Sequence, residues 1–158
     1  MNTRKHDLVL WGATGFTGTL VAEYLAAAQT GLSLALGGRS AKKLLALREE
    51  VAKKEPAFAN VPIVIGDAAD PASLRKLTEN TRVILSTVGP YWEHGKELAR
   101  AAALSGTDYC DLTGETTFWR WLPVSSTART AEASTSAASG ARARARSTRL
   151  RSSRTLPG

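Results

Sequence analysis

The sequence feature that most constrains the fold is a short segment in which glycine recurs at every third position, Gly12-Ala13-Thr14-Gly15-Phe16-Thr17-Gly18. It directly follows the apolar run Leu8 to Trp11, which is typical of a buried strand. Apolar residues at helical spacing come next, over Phe16 to Ala28. We therefore predict a strand, a tight turn and a helix, which together form the first unit of an α/β fold.

The three glycines of this turn are expected to meet different steric needs. Gly12 would allow the sharp turn, Gly15 would let a phosphate approach the backbone, and Gly18 would let the helix pack tightly on the sheet. The N–H groups at the helix start are then predicted to bind a pyrophosphate, helped by the helix dipole. The hydroxyls of Thr14 and Thr17 offer further donors. An ordinary tight turn is the alternative interpretation.

Residues 1–122 continue this alternation of apolar runs and helical patterns. Further strands are predicted at 32–36, 62–66, 83–88 and 109–112, and further helices at 41–54, 70–79 and 94–104. We expect four apolar side chains of the helix at 41–54 to point inward: Leu44, Leu45, Leu47 and Val51. Asp70 followed by Pro71 is typical of a helix start. The predicted fold class is α/β, a doubly wound parallel sheet (Rossmann) of about five strands in the order 3-2-1-4-5.

The end of the second predicted strand indicates which dinucleotide would bind. A ribose with a free 2′-hydroxyl is usually met there by Asp or Glu, but the sequence reads Gly37-Gly38-Arg39-Ser40. The Arg39 guanidinium suits a 2′-phosphate, Ser40 offers a donor and Lys43 adds positive charge. We therefore predict NADP(H) rather than NAD(H) as the cofactor. A solvated basic helix start is the alternative interpretation.

Two further strand ends are predicted to contribute to the same site. Asp67 and Ala68 follow the third strand, where a carboxylate can accept from the adenine amino group; a turn cap is the alternative role for Asp67. Val88, Gly89 and Pro90 follow the fourth strand, and the nicotinamide ribose is expected beside them. A plain Gly-Pro turn is the alternative there.

No catalytic residue is assigned from the sequence. Tyr91 is expected to pack and His94 to lie at an exposed helix start, while Asp111 and Glu115 either shape a substrate pocket or form a turn. No tyrosine of the first 122 residues has a lysine four positions later, so the catalytic pair usual in short-chain dehydrogenases is missing.

Cys110, the single cysteine, is expected in a buried strand, and no metal site is predicted.

Composition separates a body from a tail. Residues 1–122 hold 14 Lys and Arg against 13 Asp and Glu, whereas residues 123–158 hold seven Arg and one Glu. Ala, Ser, Thr and Arg supply 28 of the last 36 residues, so we predict that residues 123–158 are a disordered tail. A specific nucleic-acid partner is not expected, because the tail lacks aromatic residues for base stacking.

The same residues resemble a known family. The glycine turn at 12–18, Gly38-Arg39-Ser40, Gly66-Asp67-Ala68, Val88-Gly89-Pro90-Tyr91 and the stretch Gly106 to Glu115 together look like the NADP-binding domain of saccharopine dehydrogenase. Within that family, the sequence most resembles the branch that includes the trans-acting enoyl reductases. The resemblance implies an NADP(H)-dependent oxidoreductase that acts on a small-molecule or lipid-like substrate bound largely by a second domain. A non-catalytic NADP(H)-binding module is the alternative function.

The resemblance covers roughly residues 6–122. We therefore predict a Rossmann domain at 1–122, incomplete relative to the family, and a separate low-complexity segment at 123–158. We hypothesise that the change in composition marks a truncated or frameshifted gene product, in which the oxidoreductase would be inactive; a genuine basic tail is the alternative. Phe118, Trp119, Trp121 and the outer faces of the fourth and fifth strands are expected to be uncovered, which favours self-association.

No apolar run is long enough to span a membrane. The N-terminus does not resemble a secretory signal, and a single cysteine favours a reducing compartment, so a cytoplasmic location is expected, with membrane association left open.

Overall fold

Five parallel strands form one sheet in the computed structural model, which describes residues 4–125, with the backbone alone for 123–125. The strands are β1 (His6–Trp11), β2 (Leu34–Gly38), β3 (Ile63–Ile65), β4 (Thr81–Ser86) and β5 (Asp108–Asp111). Their spatial order is β3-β2-β1-β4-β5, and every neighbouring pair is parallel. The predicted fold class and strand order are thus confirmed.

Helices connect each strand to the next, and one further helix follows β5. They are α1 (Phe16–Ala28), α2 (Ala41–Ala52), α3 (Pro71–Glu79), α4 (Tyr91–His94), α5 (Lys96–Ser105) and α6 (Thr116–Ser125), with a 3-10 helix at Pro56–Asn60. The predicted start of α3 is confirmed, because the Asp70 carboxylate accepts the Ala72 N–H and Pro71 is the first helical residue. No described helix has the length and apolar character needed to cross a bilayer.

Both faces of the sheet are covered. Alternate residues of β1 point to opposite faces, and they belong to different buried clusters. Leu10 packs with residues of α1, α2 and the 3-10 helix, whereas Val9 and Trp11 pack with residues of α3 and α5. The continuous apolar character of the strands follows from this double burial.

Small residues form the inner face of α1. The buried positions are Gly18, Ala22 and Ala26, while three of the larger apolar residues that defined the helical pattern, Phe16, Leu20 and Tyr24, are exposed. A small inner face lets the α1 backbone lie close to the β1–α1 turn and the sheet. The periodicity therefore located the helix correctly but did not identify its buried side.

Two expectations about burial are wrong. Leu45 is 40% exposed, because the inner face of α2 is filled by Leu44, Leu47 and Val51. Cys110 is also exposed, because β5 lies at the edge of the described sheet, where only β4 pairs with it.

The end of the described chain differs from expectation in two ways. A single helix predicted at 94–104 is instead two helices, α4 and α5, that meet at Gly95, and α6 was not predicted. Phe118 of α6 is fully buried, so it is not part of an uncovered surface, whereas Trp119 is 57% exposed. The predicted boundary after residue 122 lies within α6. The disorder predicted for the tail concerns residues that, from 126 onward, lie outside the described part of the chain.

Candidate dinucleotide-binding site

The predicted site residues lie at one edge of the sheet. Because all strands are parallel, their carboxyl ends meet at the same edge. Gly12 follows β1, Arg39 follows β2, Asp67 follows β3 and Val88 follows β4. In open α/β sheets, ligands bind in the crevice at this edge, where the strand order reverses. Here the reversal lies between β1 and β4.

Gly12 has a backbone conformation that favours glycine. Its φ is +82°, and its N–H donates to Gly37 O at 3.0 Å. A Cβ at this position would overlap the Val88 side chain and lie 3.0 Å from Thr87 Oγ1. The sharp turn expected at Gly12 is therefore present, and it is enclosed by the segment that follows β4.

Gly18 also sits where a side chain would collide. A Cβ there would overlap Gly12 O and lie 2.8 Å from Ala13 Cα. Its close contact is thus with the backbone of the turn, rather than with the sheet as expected. The missing side chain lets the first turn of α1 fold back onto the residues that precede it.

Gly15 differs from these two glycines because protein packing does not require it. Its φ of −78° and ψ of 169° are ordinary extended values, and the nearest atom to a Cβ would be Gly12 O at 3.4 Å. It precedes α1, whose N-terminus has no side-chain cap, and Thr14 to Thr17 are exposed. N–H groups at such a helix start have no acceptor within the helix. This cradle, which a side chain at position 15 would partly fill, fits a phosphate group.

Arg39 presents an exposed cation at the end of β2. Among the described residues its guanidinium has no carboxylate partner, and no acidic residue stands beside it in the sequence. Ser40 is the N-cap of α2, and its Oγ accepts the Lys43 N–H at 3.4 Å. The Ser40 hydroxyl hydrogen stays available for another acceptor. The local chemistry thus fits a second anionic group.

Asp67 has a structural role in its own turn. Its Oδ1 accepts the Ala69 N–H at 2.9 Å, and its N–H donates to Ser73 Oγ at 3.1 Å. Its other carboxylate oxygen has no hydrogen-bond donor among the described residues, and Ala68 is half-buried against the core. Both roles considered for Asp67, turn cap and ligand acceptor, are compatible with this geometry.

The segment after β4 is bonded directly to the glycine turn. Thr87 N–H donates to Trp11 O at 2.9 Å, and Thr87 Oγ1 lies 3.1 Å from both Trp11 O and Gly12 O. Val88 follows and is half-buried, while Gly89 and Pro90 are exposed and joined by a cis peptide bond. The segment Val88–Pro90 therefore borders the crevice on the β4 side.

Glu115 holds the far end of this segment. Its Oε1 accepts the Tyr91 N–H at 2.7 Å, and its Oε2 accepts the Trp92 N–H at 2.9 Å. The sequence predicts either a pocket or a turn for Asp111 and Glu115. The turn is present, because Asp111 Oδ1 accepts the Thr113 N–H and Thr113 Oγ1 accepts the Glu115 N–H. The bonds of the Glu115 carboxylate to α4 are additional to it. The partners are separated by 24 and 23 positions along the chain, so no local pattern links them.

The two tyrosines near the site have buried hydroxyl groups. Tyr91 packs against Phe118, and its hydroxyl donates to Ser86 O at 3.2 Å. Burial raises the pKa of Tyr91, and burial also raises the pKa of Tyr109, with the Asp111 carboxylate adding to the effect. Both hydroxyls therefore stay protonated at neutral pH.

His94 is exposed, with Nε2 3.9 Å from a carboxylate oxygen of Glu93.

A doubly wound parallel sheet, with a glycine turn opening a helix at its carboxyl edge, defines the class of Rossmann-type dinucleotide-binding domains. Residues 8–150 match the family described as the saccharopine dehydrogenase NADP binding domain, and the chain belongs to this family. The match extends to residue 150, beyond the end of the resemblance expected from the sequence.

The curated relatives support the same family relationship. The chain is 44% identical over 117 residues to a trans-acting enoyl reductase of Mycobacterium ulcerans. It is 45% identical over 117 residues to a putative trans-acting enoyl reductase of Mycobacterium tuberculosis. Each match covers 74% of this chain, and the chain spans only 27% of the length of each relative.

Solved structures share the fold at low identity. Saccharopine dehydrogenase (L-Glu forming) from Saccharomyces cerevisiae matches with a TM-score of 0.55 and 19% identity, over 75% of this chain and 24% of that protein. This likeness supports the fold assignment and is not by itself evidence of a shared activity.

Proposed function

We propose that this chain binds NADP(H) and serves as the cofactor domain of an oxidoreductase of the trans-acting enoyl reductase type. The observation that carries the proposal is the open position at Gly15, next to an uncapped and exposed helix start. A dinucleotide pyrophosphate is the ligand that this combination fits best.

Each part of the cofactor has an assigned contact in this proposal. The pyrophosphate binds at the turn Gly12, Thr14, Gly15, Phe16, Thr17 and Gly18; the 2′-phosphate binds Arg39 and Ser40. The adenine lies near Asp67 and Ala68, and the nicotinamide ribose lies near Val88, Gly89 and Pro90. Bound NADP(H) would supply hydride transfer, while the chain supplies position and electrostatic environment.

The substrate is proposed from the relatives alone. Since the similar curated proteins are named enoyl reductases, we propose a small-molecule or lipid-like enoyl substrate. The chain spans about a quarter of those proteins, so turnover is proposed for the whole oxidoreductase rather than for residues 4–125 alone. Neither buried tyrosine hydroxyl is proposed as a proton donor.

The proposal is tested by titrating the purified chain with NADPH and with NADH, following ligand fluorescence. We expect NADPH to bind more tightly, because only NADPH offers the 2′-phosphate to Arg39. Replacing Arg39→Gln removes a charge-assisted contact worth about 1.5–3 kcal/mol, so NADPH affinity should fall by about 10- to 150-fold while NADH affinity stays unchanged.

The matched control is Lys76→Gln. Lys76 lies in the last turn of α3, toward the opposite edge of the sheet, and its replacement removes the same net charge. It should leave both affinities unchanged. Equal affinity of the unmodified chain for NADPH and NADH would contradict the role of Arg39, and binding of neither would contradict the proposed function as a whole.

A further inference from the structure

We propose that Glu115 is a positioning residue for the nicotinamide half of NADP(H). Its carboxylate fixes the segment Val88–Pro90, against which that half of the cofactor would lie. This inference rests on the proposed function, because it assigns a role to Glu115 only if the dinucleotide binds at this edge of the sheet.

The segment Val88–Pro90 is anchored at both ends. Between the anchors, Val88 packs against the core and Pro90 O accepts the N–H groups of Glu93 and His94. At its start, Thr87 donates to the backbone oxygens at the end of β1. At its end, both carboxylate oxygens of Glu115 accept adjacent backbone N–H groups of α4. Gly89 and Pro90, which lie between the anchors, are exposed. Their position relative to β1 and β5 therefore depends on the two anchors, because the bonds of Pro90 O are made only within α4.

The Glu115 anchor is itself held in place by the loop that joins β5 to α6. Asp111 Oδ1 accepts the Thr113 N–H at 3.0 Å, and Thr113 Oγ1 accepts the Glu115 N–H at 3.0 Å. Glu115 O then accepts the Trp119 N–H at 3.2 Å. This series of bonds ties the carboxylate to β5, the strand next to β4. Hydrogen bonds therefore fix the segment after β4 to two strands: to β1 through Thr87 and to β5 through Glu115.

A carboxylate is required for this geometry. Both of its oxygens are acceptors, whereas a carboxamide has one acceptor oxygen and one NH₂ donor. In Glu115→Gln, one of the two α4 N–H groups would therefore face a donor and lose its bond. The segment would keep its Thr87 anchor but be held less firmly at the Tyr91 end.

The test compares two ligands that share the adenosine half. NADPH extends to the nicotinamide ribose, whereas adenosine 2′,5′-bisphosphate carries the 2′-phosphate and adenine but has no nicotinamide part. We expect Glu115→Gln to weaken NADPH binding by about fivefold or more, the scale of one lost hydrogen bond, and to leave the affinity for the bisphosphate unchanged. Hydrogen exchange at the Tyr91 and Trp92 amides should be faster in the same variant.

Glu97→Gln is the matched control, because Glu97 is an exposed carboxylate in the first turn of α5. It should change neither affinity. Glu115→Asp is the second variant: it keeps the charge but draws the carboxylate back by one methylene, and we expect the same selective loss of NADPH affinity even if Glu115→Gln folds poorly.

The outcomes separate this inference from the proposed function. If the unmodified chain binds neither ligand, the proposed function fails and this inference fails with it. If the unmodified chain binds both, but the Glu115 variants weaken both equally or neither, then NADP(H) binding stands and the positioning role alone is overturned.

Discussion

Gly12 and Gly15 lie three residues apart in the same turn, yet only Gly12 is required by the packing of the protein. Gly12→Ala would place a side chain at a φ of +82° and against Val88, so we expect a loss of about 1–3 kcal/mol or more in the free energy of unfolding. Gly15→Ala meets little steric resistance, so its stability should change by less than about 1 kcal/mol while NADPH binding weakens strongly. Urea unfolding and NADPH titration of both variants measure these effects.

Gly114→Ala controls for the loss of a glycine as such, since nothing lies within 4 Å of a Cβ there. It should bind NADPH normally. If Gly15→Ala also bound NADPH as tightly as the unmodified chain, the pyrophosphate could not lie against this backbone.

Residues that act locally could be predicted from the sequence, and residues that act across the fold could not. The glycine turn and Arg39 carry their meaning in a few neighbouring positions, so their places at the ends of β1 and β2 were correctly expected. Glu115 contacts backbone groups more than twenty positions away. These contacts form only because the pairing of β4 with β5 brings Glu115 next to α4.

At the scale of elements, a network of hydroxyl groups joins the amino ends of β4 and β5. Thr107 Oγ1 lies 2.7 Å from Thr78 O and 3.0 Å from Thr81 O. It also accepts from Arg4 Nη1 at 2.9 Å, and Arg4 Nη2 donates to Ser105 O at 2.6 Å. Since Thr107 is buried, these bonds are formed away from solvent and fix where the turn after α5 meets the sheet.

Thr107→Val removes the hydroxyl with almost no change in shape. We expect the free energy of unfolding to fall by about 0.5–1.5 kcal/mol, because the buried hydroxyl bond is lost. Thr81 O keeps the Arg4 Nη1 donor and Thr78 O keeps the Asn80 N–H. NADPH affinity should stay unchanged, because the network lies at the edge of the sheet opposite to the proposed site. Thr117→Val, at an exposed position of α6, is the control for the threonine-to-valine change. A stability loss of equal size in both variants would show that the network contributes nothing.

Element boundaries were predictable where a cap or a proline sets them, and less so where packing sets them. α3 begins at the expected Asp70-Pro71 pair. Gly95 separates α4 from α5, and a Cβ there would lie 2.8 Å from Tyr91 O and 3.0 Å from the ring of Phe118. Phe118 of α6 thus packs against Gly95, a position that the sequence alone placed inside a single predicted helix.

At the scale of the whole molecule, the described domain has exposed apolar residues on one side of α1. Phe16, Leu20 and Tyr24 are 86%, 52% and 72% exposed, and their spacing of four residues places them on one stripe of the helix. Contiguous exposed apolar surface favours association between molecules. We therefore expect the chain to self-associate as its concentration rises, through this stripe rather than through Phe118, which is buried.

The double variant Leu20→Gln and Tyr24→Gln should shift this association to higher concentration, because it makes the stripe polar while leaving Phe16 in the proposed binding turn. Sedimentation velocity over a wide concentration range measures the effect. The matched control is Leu104→Gln and Leu112→Gln, which removes two leucines that are 62% and 55% exposed on other elements. If the control suppressed association and the α1 variant did not, the contact would lie near β5, and a chain that stayed monomeric throughout would contradict self-association itself.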